Sequence, residues 1–449
     1  MIGPADSNPV KTPSAPGVHP TPLWSFKPRS DREAGDAIVA NFALHWFPAK
    51  VFKPSLDWTY SFWLGTISAA LLLLLVVSGL PLLVLYVPSV ERAYGSVKDI
   101  EWVVTFGSWI RSVHRLSAHL VVAAVFLHLV RVFVTGAYKN GVAHGQHREW
   151  NWVMGVAMLL LTLLLSFTGY LLPWDQLAFW AVTVGTNIAA SIPWVGPSIR
   201  ELLIGGRNIE QATLIRFYVL HVIFLPGLLG VLFAYHMWRI RRDGGLARAD
   251  CVATPRAKAE EPPVQTKTYT LLGVARGTAP TIRAVSLEAR NLTVNAVPDL
   301  VRRAAVAVLG TFAVISVLAS FIRSPLEEAA NALVTPNPAK APWYFLWLQE
   351  IVTDTTFTIA GFTVNGAFLG GVILPGIIVT VLAVWPWLDK SPAAATGLWF
   401  PRSRRTQNAI FLLAVLLIVI LTIVGTFLRG PSWQLFWPWE AWPELPTRI

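Results

Sequence analysis

The 449 residues are 54% hydrophobic with a mean hydropathy of +0.53, and the apolar residues run in long unbroken blocks. That excludes a soluble enzyme, whose elements need polar faces that these blocks lack. The net charge of +11 does not point to nucleic acid, because Lys and Arg lie almost wholly between the blocks; the lone Cys251 leaves no disulfide framework, no CxxCH haem attachment and no thiolate cluster on this chain.

The first 22 residues are rich in Pro, Ser and Thr without an apolar core, so no cleavable signal peptide is expected. A short interfacial helix is expected within 36–47, "DAIVANFALHWF". About 20 apolar residues cross a bilayer as a helix. Seven stretches meet that requirement, at 58–87, 111–137, 151–172, 216–239, 301–322, 366–387 and 407–428. A charge-free stretch at 176–199 is broken by Gly185, Pro193, Gly196 and Pro197 and reads as short surface helices, with an eighth span as the alternative.

Seven spans put the termini on opposite sides. Lys and Arg number 24 in segments 1–57, 138–150, 239–303 and 389–407, against 8 in 88–110, 173–215, 323–365 and 429–449. The excess places the N-terminus in the cytoplasm and the C-terminus outside, in a bacterial inner (plasma) membrane. The expected fold is all-α and integral to the membrane, with an N-terminal four-helix bundle and a C-terminal three-helix module. Its parts are a cytoplasmic segment 1–57, a four-span module 58–242, a polar basic linker 243–298, a three-span module 299–430 and an external tail 431–449.

Histidine costs free energy in hydrocarbon unless something pairs with it. His114 and His128 are 14 residues apart in the second span; His221 and His236 are 15 apart in the fourth. At ~100° and ~1.5 Å per residue each pair keeps to one helix face, separated by ~21–22 Å. Two facing ladders present two stacked imidazole pairs, the ligand set of two non-covalent b haems: His114 with His221 near the outer face, His128 with His236 near the cytoplasmic face. A lone intramembrane histidine is more often a packing or pathway residue, but two matched ladders favour ligands. His119 falls about half a turn from His128 and reads as structural or lipid-adjacent. His19, His45, His144 and His147 fall on cytoplasmic segments and are expected in solvent.

Gly65 and Gly79 in the first span, and Gly155 and Gly169 in the third, repeat the 14-residue interval. They are expected to clear space for flat macrocycles at two levels, although glycine also serves plain helix packing. Arg111, Arg115 and Arg131 stand at helix ends where haem propionates would emerge, or where long side chains reach the interface.

"RSVHRLSAHLVVAAVFLHLVRVFVTGAYK", "SFTGYLLPWDQLAFWAV" and "TLIRFYVLHVIFLPGLLGVLFAYH" closely resemble the cytochrome b subunit of cytochrome bc and bf complexes. The 15-residue interval and the seven spans look like the plastid-type form, whose four-span and three-span chains would here be fused. The resemblance covers residues 55–240 strongly and 300–430 moderately. It implies a subunit that moves electrons from quinol (menaquinol or ubiquinol) through two b haems, coupled to proton translocation, in a quinol:cytochrome c oxidoreductase. It also implies a Rieske iron–sulfur protein, a c-type cytochrome, membrane lipid and a homodimeric complex as partners.

Three departures stand out. The family's outer pocket carries a carboxylate before Trp-Tyr, but "KAPWYF" has Ala341 and Pro342 there, ahead of Trp343 and Tyr344. Quinol oxidation needs a proton acceptor. Glu350, seven residues after Trp343 and on its face if this piece is helical, is the expected substitute, with Asp175 and Asp354 weaker candidates. Trp63 stands where plastid-type relatives attach an extra haem through cysteine, so no covalent c-type haem is expected. The linker and the 139–150 loop match nothing in the family, and Arg241 is the residue offered for the inner quinone pocket, or for an interfacial anchor. Two other readings stay open: a non-bifurcating di-haem anchor for another reductase, and a haem-free transporter or scaffold.

Overall fold

In hydrocarbon every backbone N–H and C=O must find its partner inside its own segment, so apolar runs of this length close into helices. A computed structural model describes residues 50–141, 147–243, 245–246 and 293–440. The expected interfacial helix at 36–47, most of the linker, Cys251, His19, His45 and His144 lie outside them. Among the described residues seven helices are long and apolar enough to cross a membrane: Leu64–Leu85, Gly107–Val134, Arg148–Leu171, Gln211–Arg242, Ala296–Phe321, Gly366–Leu388 and Arg402–Leu428. The chain is a multi-pass membrane protein with the expected seven spans.

Their ends differ from expectation for local reasons. The first span starts at Leu64, because Phe62 and Trp63 sit in the left-handed region and separate it from the turn Trp58–Ser61. Trp63 is buried there with Leu56 and Ala307. The fourth span starts a turn early, at Gln211, where Glu210 and Thr213 exchange side-chain-to-backbone hydrogen bonds as a capping box. The stretch after Pro173 forms two helices, Gln176–Ala190 and Gly196–Ile204, and adds no span.

The second span is the centre of the molecule: 44% of its most apolar stretch is buried, against 6% for the sixth and seventh spans. One core joins Leu71 and Leu74 of the first span, Val113, Val121 and Val122 of the second, Ile315 of the fifth and Tyr344. A second joins Leu129, Phe133, Tyr138 and Trp152 to Val379, Leu382, Trp385 and Phe411 of the sixth and seventh spans. There Phe133 stacks on Phe411, ring centres 3.7 Å apart, and the Trp152 indole donates to the Leu382 carbonyl at 2.6 Å. Both groups of spans therefore share cores.

Buried ions close each end. At one, Arg111 donates to Glu101 at 2.8 Å and to the carbonyls of Ser324 and Pro325. At the other, the fully buried Arg404 meets Asp389 at 3.2 Å, Tyr138 and the Phe133 carbonyl. Gly136, at φ +64°, leaves room for that guanidinium, which a Cβ would overlap. Between the fifth and sixth spans lie the helix Trp343–Asp354 and a hairpin, Phe357–Ile359 with Phe362–Val364.

Candidate functional site

The four histidines stand on the second and fourth spans as the ladders require, and each is met by one of the four glycines. A Cβ on Gly79 would lie 3.3 Å from His114 Cε1, on Gly65 3.2 Å from His128 Cε1 and on Gly155 3.9 Å from His236 Cε1; on Gly169 it would overlap the His221 ring. Glycine on the first and third spans thus faces histidine on the second and fourth, two levels on each side. The glycines make room for the imidazoles themselves, a closer relation than clearance for a macrocycle.

The unequal intervals are reconciled by a π turn, Leu220–Phe224, which contains His221. The Leu225 N–H reaches back five residues to Leu220, and Pro226 next to it has no N–H to offer. The turn holds one extra residue, so 15 residues in the fourth span cover the rise of 14 in the second.

His114 and His221 have ring centres 6.3 Å apart with planes 72° apart. An imidazole nitrogen binds a metal at about 2.0–2.1 Å, so one ion between two rings asks for centres roughly 6 Å apart. The outer nitrogens are already held. Ser78 Oγ donates to the Leu74 carbonyl at 2.6 Å, which leaves it to accept from His114 Nδ1 at 2.9 Å. His221 Nδ1 is 3.0 Å from the Leu165 carbonyl and 3.3 Å from Thr168 Oγ1. With Nδ1 donating, the Nε2 lone pairs are left for a ligand bond. Sequence reasoning missed these two hydroxyls, although Ser78-Gly79 and Thr168-Gly169 are the signal: a hydroxyl residue precedes each glycine at this level only. At the other level His236 Nδ1 is buried without a hydrogen bond of good geometry among the described residues.

The arginines divide. Arg131 is buried, its guanidinium carbon 4.6 Å from the centre of the Tyr60 ring, with Nε and Nη2 without an acceptor among the described residues. Buried guanidinium nitrogens without acceptors fit an anionic group such as a propionate. Arg111 is already engaged at Nη1 and Nη2 by Glu101, Ser324 and Pro325. Arg115 lies 6.0 Å over the Tyr170 ring. Arg241 is half-buried at the end of the fourth span.

Trp343 and Tyr344 open the helix Trp343–Asp354, helical as Glu350 required. Tyr344 is buried and packs against Phe345 and His119, and burial pushes its phenol up to about 12, with a Ser166 hydrogen bond and the Arg115 charge opposing. Trp343 is 41% exposed. Glu350 is fully buried, and Arg429 donates to its two carboxylate oxygens at 2.9–3.1 Å. Both carboxylate oxygens of Glu350, the expected proton acceptor, are thus engaged by one guanidinium rather than open toward Tyr344. Asp175 caps the helix Gln176–Ala190 through the Ala178 N–H. His119, expected to be structural or lipid-adjacent, faces Tyr344.

Residues 50–244 match the family described as cytochrome b/b6/petB, and residues 329–437 match cytochrome b(C-terminal)/b6/petD. The chain is 40% identical to cytochrome b6 of Synechococcus sp. (strain CC9311) over 198 residues, 44% of this chain and 87% of that protein. It is 40% identical to the menaquinol:cytochrome c reductase cytochrome b subunit of Geobacillus thermodenitrificans over 225 residues, 50% of this chain and 91% of that one. A solved structure titled hyperthermophilic respiratory Complex III superposes with a TM-score of 0.62 at 23% identity, covering 84% of this chain and 86% of that chain, a likeness of fold.

Proposed function

This chain belongs to the cytochrome b/b6 family, with the N-terminal and C-terminal family domains in one polypeptide, and from that premise we propose that it is the di-haem cytochrome b subunit of a membrane quinol:cytochrome c reductase. The observation that carries the reading is the fourfold meeting of histidine and glycine, at two levels on two pairs of spans.

His114 with His221, and His128 with His236, are the residues that would hold two non-covalent b haems. A haem bound so supplies one-electron transfer between its ferric and ferrous forms. The protein's part is to fix the rings: Ser78 and the Leu165 carbonyl hold His114 and His221 in the tautomer that offers Nε2. Gly65, Gly79, Gly155 and Gly169 let those rings pack against the neighbouring backbone. Arg131 offers a propionate at the His128 end two nitrogens that have no acceptor among the described residues. Trp343 and Tyr344 line the quinol-oxidising pocket, and Arg241 belongs to the quinone-reducing one at the opposite face.

Charge asymmetry between the connecting segments supports a cytoplasmic N-terminus. A Rieske iron–sulfur protein and a c-type cytochrome are the proposed partners, with the 243–298 linker joining the two modules. A second reading, a non-bifurcating anchor for another reductase, is favoured by one feature: Glu350 is bound to Arg429 and Pro342 stands where a carboxylate is expected. A Rieske protein in the subunit inventory of the native complex decides for the first reading.

The haem assignment is tested on the purified native complex by haem content and reduced-minus-oxidised spectra. Two b haems per chain are expected, and one each in His114→Leu and His128→Leu. Variants that keep both haems with unaltered spectra would overturn the assignment.

A further inference from the structure

Oxidising a quinol removes two protons and two electrons, and the protons need an acceptor beside the hydroxyl. The buried carboxylates near the Tyr344 end are already committed. Glu350 is bound by Arg429, and Glu101 by Arg111. Asp175 takes the N–H groups of Ala178 and Glu327. Asp354 is half-exposed at the far end of its helix and shares Arg429.

His119 is different. It lies five residues past His114, about 140° round the helix, off the face that carries the two ladder histidines. Its ring centre is 5.7 Å from that of Tyr344, with planes 57° apart. It is half-buried, and neither ring nitrogen is hydrogen-bonded to a described residue. Its charged neighbour is Arg115, one turn back on the same span. From the packed elements, Tyr344 faces it, and behind Tyr344 stands Tyr170 of the third span, with Asp175 and Glu327 within electrostatic reach of Tyr170. The position thus combines a titratable side chain that no hydrogen bond to a described residue holds with an aromatic wall to seat a flat ring, and the carboxylate left nearby, Glu327, is exposed.

We propose that the His119 imidazole accepts a quinol hydroxyl proton at this pocket, with Tyr344 positioning the quinol ring against it. This rests on the reading of the Tyr344 end as the quinol-oxidising site. The hydroxyl O–H bond breaks, its electron pair stays on oxygen, and an N–H bond forms on the free imidazole nitrogen. The two electrons then leave one at a time to the one-electron acceptors of the complex, a haem and an iron–sulfur protein. The imidazolium returns the proton to water on the side facing the loops, and the second hydroxyl's O–H bond then breaks to the regenerated imidazole in the same way, so that quinone, two protons and two electrons account for the quinol.

The test uses the native complex with a soluble quinol analogue, following cytochrome c reduction across about pH 5 to 8, where imidazoles titrate. His119→Gln is expected to lower kcat at least tenfold with both b-haem spectra intact and to abolish the acid limb of the rate profile. His119→Asp is expected to restore part of the rate and move the acid limb to lower pH, which a packing role would not produce. Undiminished turnover and an unchanged profile in His119→Gln overturn the proposal. Should that variant lose its haems, the parent profile decides, and a rate flat across the range overturns it. A parent that holds both haems yet oxidises no quinol overturns the functional reading and this proposal together.

Discussion

At the residue scale, four glycines differ in how closely a histidine presses on them, and that difference is measurable. A Cβ at Gly155 would meet His236 at 3.9 Å, an ordinary contact, whereas at Gly169 it would overlap the His221 ring. Gly155→Ala is therefore expected to keep two haems per chain, and Gly169→Ala to lose the His221-level haem selectively; equal haem content in the two variants would contradict the assignment. The positions of these glycines were legible from their interval. Their immediate neighbours, the imidazole rings, were not, because an interval fixes level along a helix and leaves open which side chain closes the gap. The same holds for the arginines. Arg111, Arg115 and Arg131 look alike as helix-end cations, and only their partners, carbonyls more than 200 residues away for Arg111, tell them apart.

At the element scale, the helix Trp343–Asp354 is fixed by Glu350 pairing with Arg429 at the end of the seventh span. Gly425 of that span lets it approach, since a Cβ there would lie 3.2 Å from Leu346 Cβ. Breaking a buried pair strands the remaining charge, at a cost of about 3–5 kcal/mol. Glu350→Gln is expected to lower the melting temperature of the complex by several degrees and to loosen Tyr344, with haem spectra unchanged; an unaltered melting curve would show the pair to be dispensable. Arg429 lay beyond sequence reasoning, which placed Glu350 and Trp343 on one face of a helix but had no means of naming what the buried face meets. The π turn is the opposite case. Its signal was present, an interval of 15 beside one of 14 and a proline five residues past His221, and a helix treated as uniform could not use it.

At the scale of the whole molecule, the two groups of spans are joined by cores and by ions at each end. Asp389 is the centre of one end. Burial pushes its carboxyl up, but hydrogen bonds from Ser391 and Tyr138 and the Arg404 charge outweigh that and leave it below the usual value of 3.8. A carboxyl depressed on folding contributes stability that is fully present above its unfolded value and is lost as pH falls through its folded one. Thermal stability is expected to fall from about pH 4 downward in the parent and to do so less in Asp389→Asn, which starts lower at neutral pH; parallel curves would place the acid sensitivity elsewhere.

The number of spans, their order and the intervals of histidine and glycine were determined by the sequence alone. Bilayer thickness fixes helix length, and helix geometry turns residue number into height and direction, so both follow from local composition. The tertiary structure decided which hydroxyl orients which imidazole, which arginine is left with open donors, and that Glu350 is tied while His119 is not. Those outcomes depend on competition among polar groups brought together from distant parts of the chain, each buried donor or acceptor requiring a partner, and no local pattern records who wins.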